Sequence, residues 1–162
     1  MTIHDRLPVR EVPPITDKQY AVGGCTALLD AVGSTIEHIM CIHKYAREED
    51  VPEHTMVVIM TDGMENASVS YSYDDVKKLI SKQEGKGWRF VFMGANIDAV
   101  EMGGRIGVKA SRSVNFANDS QGQKLNYEAI SQMASGVRHC GDFIEDVVFK
   151  NVKNYEKEKN KK

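Results

Sequence analysis

Thr55-Met56-Val57-Val58-Ile59-Met60-Thr61-Asp62-Gly63 sets five consecutive apolar residues between two threonines and ends them on an Asp-Gly pair. A strand with one wet face alternates, whereas a parallel strand covered on both faces reads as a continuous apolar run. Residues 55–61 therefore read as a buried strand, with Asp62 opening a turn and Gly63 supplying the backbone freedom the turn needs. Working outward, Trp88-Arg89-Phe90-Val91-Phe92-Met93 is a second strand, closed by Gly94-Ala95-Asn96. Between them, Ser72-Tyr73-Asp74-Asp75 is a capping-box-like start with an acidic first turn. Val76, Leu79 and Ile80 follow as an apolar stripe, and Gly85 is the expected stop.

Upstream, Gly23-Gly24-Cys25-Thr26-Ala27-Leu28-Leu29-Asp30-Ala31 leads into Leu28, Leu29, Val32, Ile36, Ile39 and Met40, one face of a helix beginning at Thr26. Downstream come a short helix over 98–105, a last strand over 113–116, a polar loop over 117–123 and a helix over 124–135. Phe143, Ile144, Val147 and Val148 predict one more helix. Residues 150–162, rich in lysine, read as a helical extension fraying into a charged tail. Residues 2–12 alternate loosely and read as an edge strand stopped by Pro13-Pro14. Strand–helix alternation at this spacing predicts a mostly parallel α/β sheet with right-handed crossovers, in a single domain over 1–149.

The 162 residues suffice to bury a core, and 41% hydrophobic with 27% charged residues is an ordinary globular composition. A net charge of −2 argues against nucleic acid or an anionic membrane as partner. No apolar run approaches the length of a membrane span, and no signal peptide opens the chain. Cys25, Cys41 and Cys140 are odd in number and lack paired spacing, which fits a reduced, cytoplasmic setting.

In a parallel sheet ligands gather outside the carboxyl ends of the strands. Asp62 leaves one such end and Thr26 leads into a neighbouring helix, so a carboxylate and a hydroxyl would share one rim. Oxygen ligands of this kind suit Mg²⁺. Here the residues carry a resemblance. GGCTALLDAVGSTI followed by VVIMTDGMENAS resembles the second half of a von Willebrand factor type A (VWA) domain, of the stand-alone bacterial kind. That family implies a Rossmann-like three-layer sandwich and a metal-ion-dependent adhesion site built from an Asp-x-Ser-x-Ser loop, a later Thr and a later Asp. Thr26 matches the threonine and Asp62 the last aspartate. The Asp-x-Ser-x-Ser part has no counterpart here, so the resemblance is to an N-terminally truncated domain. Its metal site would be partial, with Mg²⁺ bound weakly or not at all.

Each residue also has a plainer structural role open to it. Asp62-Gly63 suits a turn, Thr26 a helix N-cap, and Asp30 the dipole of the first helical turn. Glu65, Asn66 and Ser68 lie just past Asp62, where a polar loop is either solvated or partner-binding. Asn96 serves as a cap or as a polar group at the rim. Gly103-Gly104-Arg105-Ile106-Gly107 lacks the dinucleotide fingerprint and falls at a helix end. His38, Cys41 and His43 do not share a helical face, since His43 lies about 200° around from Cys41. No nucleophile elbow is visible. The expectation is a non-catalytic protein-interaction module, homodimeric, that meets a protein partner at the rim through Glu65, Asn66 and Ser68. The alternative is a small metal-dependent hydrolase or nucleotide-binding protein using Asp62 and Asn96.

Overall fold

A computed structural model describes residues 3–16, 18 and 25–161. Three strands, β1 (Met56–Thr61), β2 (Arg89–Gly94) and β3 (Ser113–Asn115), form one parallel sheet in the order β1-β2-β3. Met56 stands opposite Arg89 and Thr61 opposite Gly94, so the two apolar runs are parallel neighbours. Around them lie α1 (Leu28–Tyr45), α2 (Tyr73–Glu84), α3 (Ala99–Arg105), α4 (Ser120–Cys140), α5 (Glu145–Val148) and α6 (Lys150–Lys159).

Successive side chains of a strand point to opposite faces, and β2 divides its residues accordingly. Phe90 and Phe92 join Ile59 and residues of α1, α2 and α3 in one apolar cluster. Val91 and Met93 join Val114, Phe116 and residues of α4, α5 and α6 in another. Phe90, Val91, Phe92 and Met93 are fully buried. That burial removes most of four large side chains from water, at roughly 1.5–3 kcal/mol each.

Local chemistry sets several boundaries. Ser72 and Asp75 form the expected capping box: the Ser72 hydroxyl accepts from the Asp75 N–H at 3.2 Å, and the Asp75 carboxylate accepts from the Ser72 N–H at 3.0 Å. Asp98 caps α3 by accepting from Val100 and Glu101. Gly85 is not left-handed, with φ −60°; that conformation falls two residues later, at Gly87, with φ 89°.

Three segments differ from the sequence reading. Residues 3–16 form no strand; they contain one turn of 3-10 helix, Val9–Glu11. Pro8 lacks an N–H for a ladder and Arg6 sits at φ 52°, so the alternation there has no sheet to join. The helix expected from residue 124 starts at Ser120, inside the supposed loop, because the Asp119 carboxylate caps it through the Gly122 N–H at 2.8 Å. The segment expected to fray is helical through Lys159. Val152 is buried in the second cluster, and Tyr155 and Lys159 both reach Asp119, at 3.0 and 2.7 Å. The Lys159 ammonium leads the interactions that hold the Asp119 carboxyl at about 2.

At the opposite end of the sheet from the Asp62 turn, Arg112 is buried and fixes the start of β3. Its guanidinium donates to Glu145 at 2.9 Å and to both Asp142 oxygens at 2.8 and 2.9 Å. Arg89 Nε lies 3.0 Å from Asp142 but makes no directed hydrogen bond, so it adds charge and not geometry. Among the described residues no helix is long and apolar enough to cross a membrane.

Candidate functional site

The candidate site is the rim where β1 ends. Thr26 and the Asp62-Gly63 turn do meet there: a Cβ on Gly63 would lie 3.4 Å from the Thr26 hydroxyl. Thr26 does not cap α1. The N-cap is Ala27, which offers no side-chain bond. The caps come instead from the loop after β1, some forty residues further along the chain. The Glu65 carboxylate accepts from the Leu29 N–H at 2.9 Å, and the Ser68 hydroxyl accepts from the Asp30 N–H at 3.0 Å. The first N–H groups of a helix have no partner within it, and these two answer that need from outside.

The rest of the loop continues along α1. Asn66 closes a two-way link with Thr26: its side-chain oxygen accepts from the Thr26 N–H at 2.8 Å, and its own N–H donates to the Thr26 carbonyl at 3.0 Å. Glu65 also accepts from the N–H groups of Ala67 and Ser68 and from the Ser68 hydroxyl, at 2.9, 2.7 and 2.8 Å. Asp30 accepts from three successive N–H groups, Val69, Ser70 and Tyr71, at 2.9–3.0 Å. Tyr71 then donates its hydroxyl to Glu37 at 2.7 Å. Its ring lies over Gly33, where any Cβ would fall on ring carbons and force the ring to move, so glycine suits that crossing.

Electrostatics follow from this geometry. Partial burial pushes the Glu65 carboxyl up, but the N–H groups of Ser68, Leu29 and Ala67 and the Ser68 hydroxyl outweigh it and hold the group at about 2. The Asp30 carboxyl is lowered, chiefly by the Val69 N–H, with Ser70 and Tyr71 adding to it. Both are fixed anions whose oxygens are already bonded within the chain.

Of the residues singled out from the sequence, Thr26, Asp62, Glu65, Asn66 and Ser68 are thus brought together. Glu65 and Ser68 face inward and hold the loop to α1. Asp62, Met64 and Asn66 are exposed. Asn96 is exposed at the end of β2, with φ 58°, a left-handed conformation that asparagine tolerates better than most residues. The Gly23-Gly24 pair lies outside the described residues. The three-residue zinc reading has no geometric support: His38 pairs with Asp5 at 3.1 Å, while His43 meets the edge of Trp88 at a centroid distance of 5.5 Å. Among the described residues no three His, Cys, Asp or Glu side chains converge on a point that would hold a metal.

A hard cation such as Mg²⁺ wants about six oxygens in near-octahedral array. The Thr26 hydroxyl and the Asp62 carboxylate bring two groups, and the neighbouring carboxylates of Glu65 and Asp30 are occupied by N–H donors. The residues described here do not by themselves make that metal site. Compared with known proteins, the chain matches no family model, no curated protein and no solved structure.

Proposed function

We propose that this chain is a non-catalytic protein-interaction module, similar to a VWA domain that lacks its Asp-x-Ser-x-Ser part, with helices on both faces of the sheet as a three-layer sandwich. Its protein partner docks at the rim, against Asp62, Met64 and the outer side of Asn66. The observation that carries this reading is how the rim is built. Glu65, Ser68 and Asp30 fasten the loop to α1 through five hydrogen bonds, and Glu65 braces the loop internally through three more. A loop held this tightly presents its remaining outward groups in one geometry, which lowers the entropy lost on binding. Met64 is 62% exposed in the middle of that presentation, an adaptable apolar contact between two polar ones.

The test is affinity capture with the chain and its Asp62→Ala and Asn66→Ala variants, each shown to be folded. The reading expects a protein retained by the parent and released by the variants. A captured protein indifferent to both substitutions contradicts it.

The second reading, a metal-dependent hydrolase or nucleotide-binding protein, draws on Asn96. Asn96 is exposed in a left-handed turn at the end of β2, next to the strand that leads to Asp62, and polar groups on such turns at the carboxyl ends of parallel strands are placed to meet a ligand. Turnover of phosphoesters or nucleotides that disappears in Asp62→Ala would favour it over the first.

A further inference from the structure

Among the described residues β1 and β3 are the edge strands of the sheet, and the outer side of β1 is unlike that of β3. β3 is three residues long, and short edges are one of the ways proteins blunt unwanted pairing. β1 is six residues long and carries neither a charge nor a proline. The ladder to β2 uses alternate residues. Arg89 donates to the Thr55 carbonyl at 2.8 Å and Ala95 to the Thr61 carbonyl at 2.9 Å, which assigns Thr55, Val57, Ile59 and Thr61 to β2. The N–H and C=O groups of Met56, Val58 and Met60 then face the other way, and among the described residues no strand meets them. An apolar strand with three donors and three acceptors facing away from its neighbour is a template for another strand.

The sequence of that strand indicates which one. Thr55-Met56-Val57-Val58-Ile59-Met60-Thr61 reads almost identically in both directions, with Val58 at its centre. We propose that two copies of this chain pair through β1, antiparallel, about a two-fold axis at Val58, joining their sheets into one. In that register Val58 faces Val58, Met56 faces Met60, Val57 faces Ile59 and Thr55 faces Thr61. Threonine pairs and β-branched pairs directly opposite one another are favourable in antiparallel sheets. Residues 56, 58 and 60 fall in hydrogen-bonded pairs, so every free N–H and C=O on the edge gains a partner. Met56, Val58 and Met60 all lie on the face of the α4–α6 cluster, so like faces of the two sheets coincide. A two-fold interface is self-complementary by construction, and a palindromic strand meets that condition. The inference stands on the strand edge and is independent of the rim.

Light scattering coupled to size exclusion gives the mass directly, and the dimer predicts twice the chain's 18.1 kDa at micromolar concentration. Register is read by disulfides in a background where Cys25, Cys41 and Cys140 are serine. Chains bearing Thr55→Cys mixed with chains bearing Thr61→Cys should cross-link to each other and not to themselves. Chains bearing Met56→Cys mixed with Met60→Cys should do the same, should a cysteine at the buried Thr61 prevent folding. A mass of one chain, or a dimer that forms neither mixed disulfide, overturns the proposal.

Discussion

Between the loop that leaves β1 and α1, carboxylates and hydroxyls are bonded inward: Glu65 and Ser68 take up the N–H groups of Leu29 and Asp30, and Glu65 and Asp30 those of residues 67–71. Along the free side of β1 itself, the backbone groups of Met56, Val58 and Met60 meet no strand among the described residues. Loop and edge adjoin at Thr61, yet one is polar and closed while the other is apolar and open. The contrast separates rigidity from availability. The polar loop looks like the binding surface in the sequence, but most of its polar groups hold the scaffold. What remains outward are the few exposed side chains beside them and the backbone of the edge.

If the loop is closed, cutting its central residue should damage the fold. Glu65→Ala removes the acceptor for four donors, including the Leu29 N–H at the start of α1, and is expected to cost about 2–3 kcal/mol in urea unfolding. A loss under about 0.5 kcal/mol, ordinary for a surface residue, would erase the distinction between loop and edge. Gly33→Ala should cost about 1–3 kcal/mol, because the Tyr71 ring must move off α1. An unchanged unfolding midpoint would show that the crossing is loose.

Acid sharpens the same point. The folded-state pKa of Glu65 is held at about 2, below its ordinary value of 4.5, so its contribution is fully present above that ordinary value. It is lost as pH falls from there toward about 2. Unfolding free energy should decline across that window in the parent and decline less in Glu65→Gln. Equal slopes would mean that the carboxylate is not the group that matters.

The smallest effects belong to Asp62. It is exposed, so Asp62→Ala should shift stability by no more than about 0.5 kcal/mol while abolishing partner capture. Calorimetry with Mg²⁺ should detect weak binding or none. Tight binding that Asp62→Ala removes would show that the chain completes a metal site after all.

Much of the fold was legible because its signals are local. The unbroken run at residues 55–61, the second run at 88–93 and the Ser72–Asp75 capping box each state their structure within a few residues. That Thr26 and the Asp62-Gly63 turn would share one rim was legible from the end of the apolar run and the start of the helix face. What escaped was long-range. α1 has no local cap at Ala27, and nothing near Glu65 or Ser68 in the chain says that they cap a helix some forty residues back. The start of α4 was hidden because Gly122 and Gln123 look like loop. Gly122 is in fact the residue whose missing Cβ leaves room for the Ala117 carbonyl. The alternation at residues 3–12 misled for the opposite reason, since a period of two predicts a strand only where a sheet is within reach.

Amide hydrogen exchange at two protein concentrations reads both sides of the comparison in one experiment. The account predicts that the N–H groups of Leu29, Asp30, Ser68 and Tyr71 exchange slowly at either concentration. Those of Met56, Val58 and Met60 should gain protection as concentration rises, while Val57 and Ile59, bonded to β2, stay unchanged. Edge amides that exchange equally fast at both concentrations, or loop amides that exchange like free ones, would contradict it.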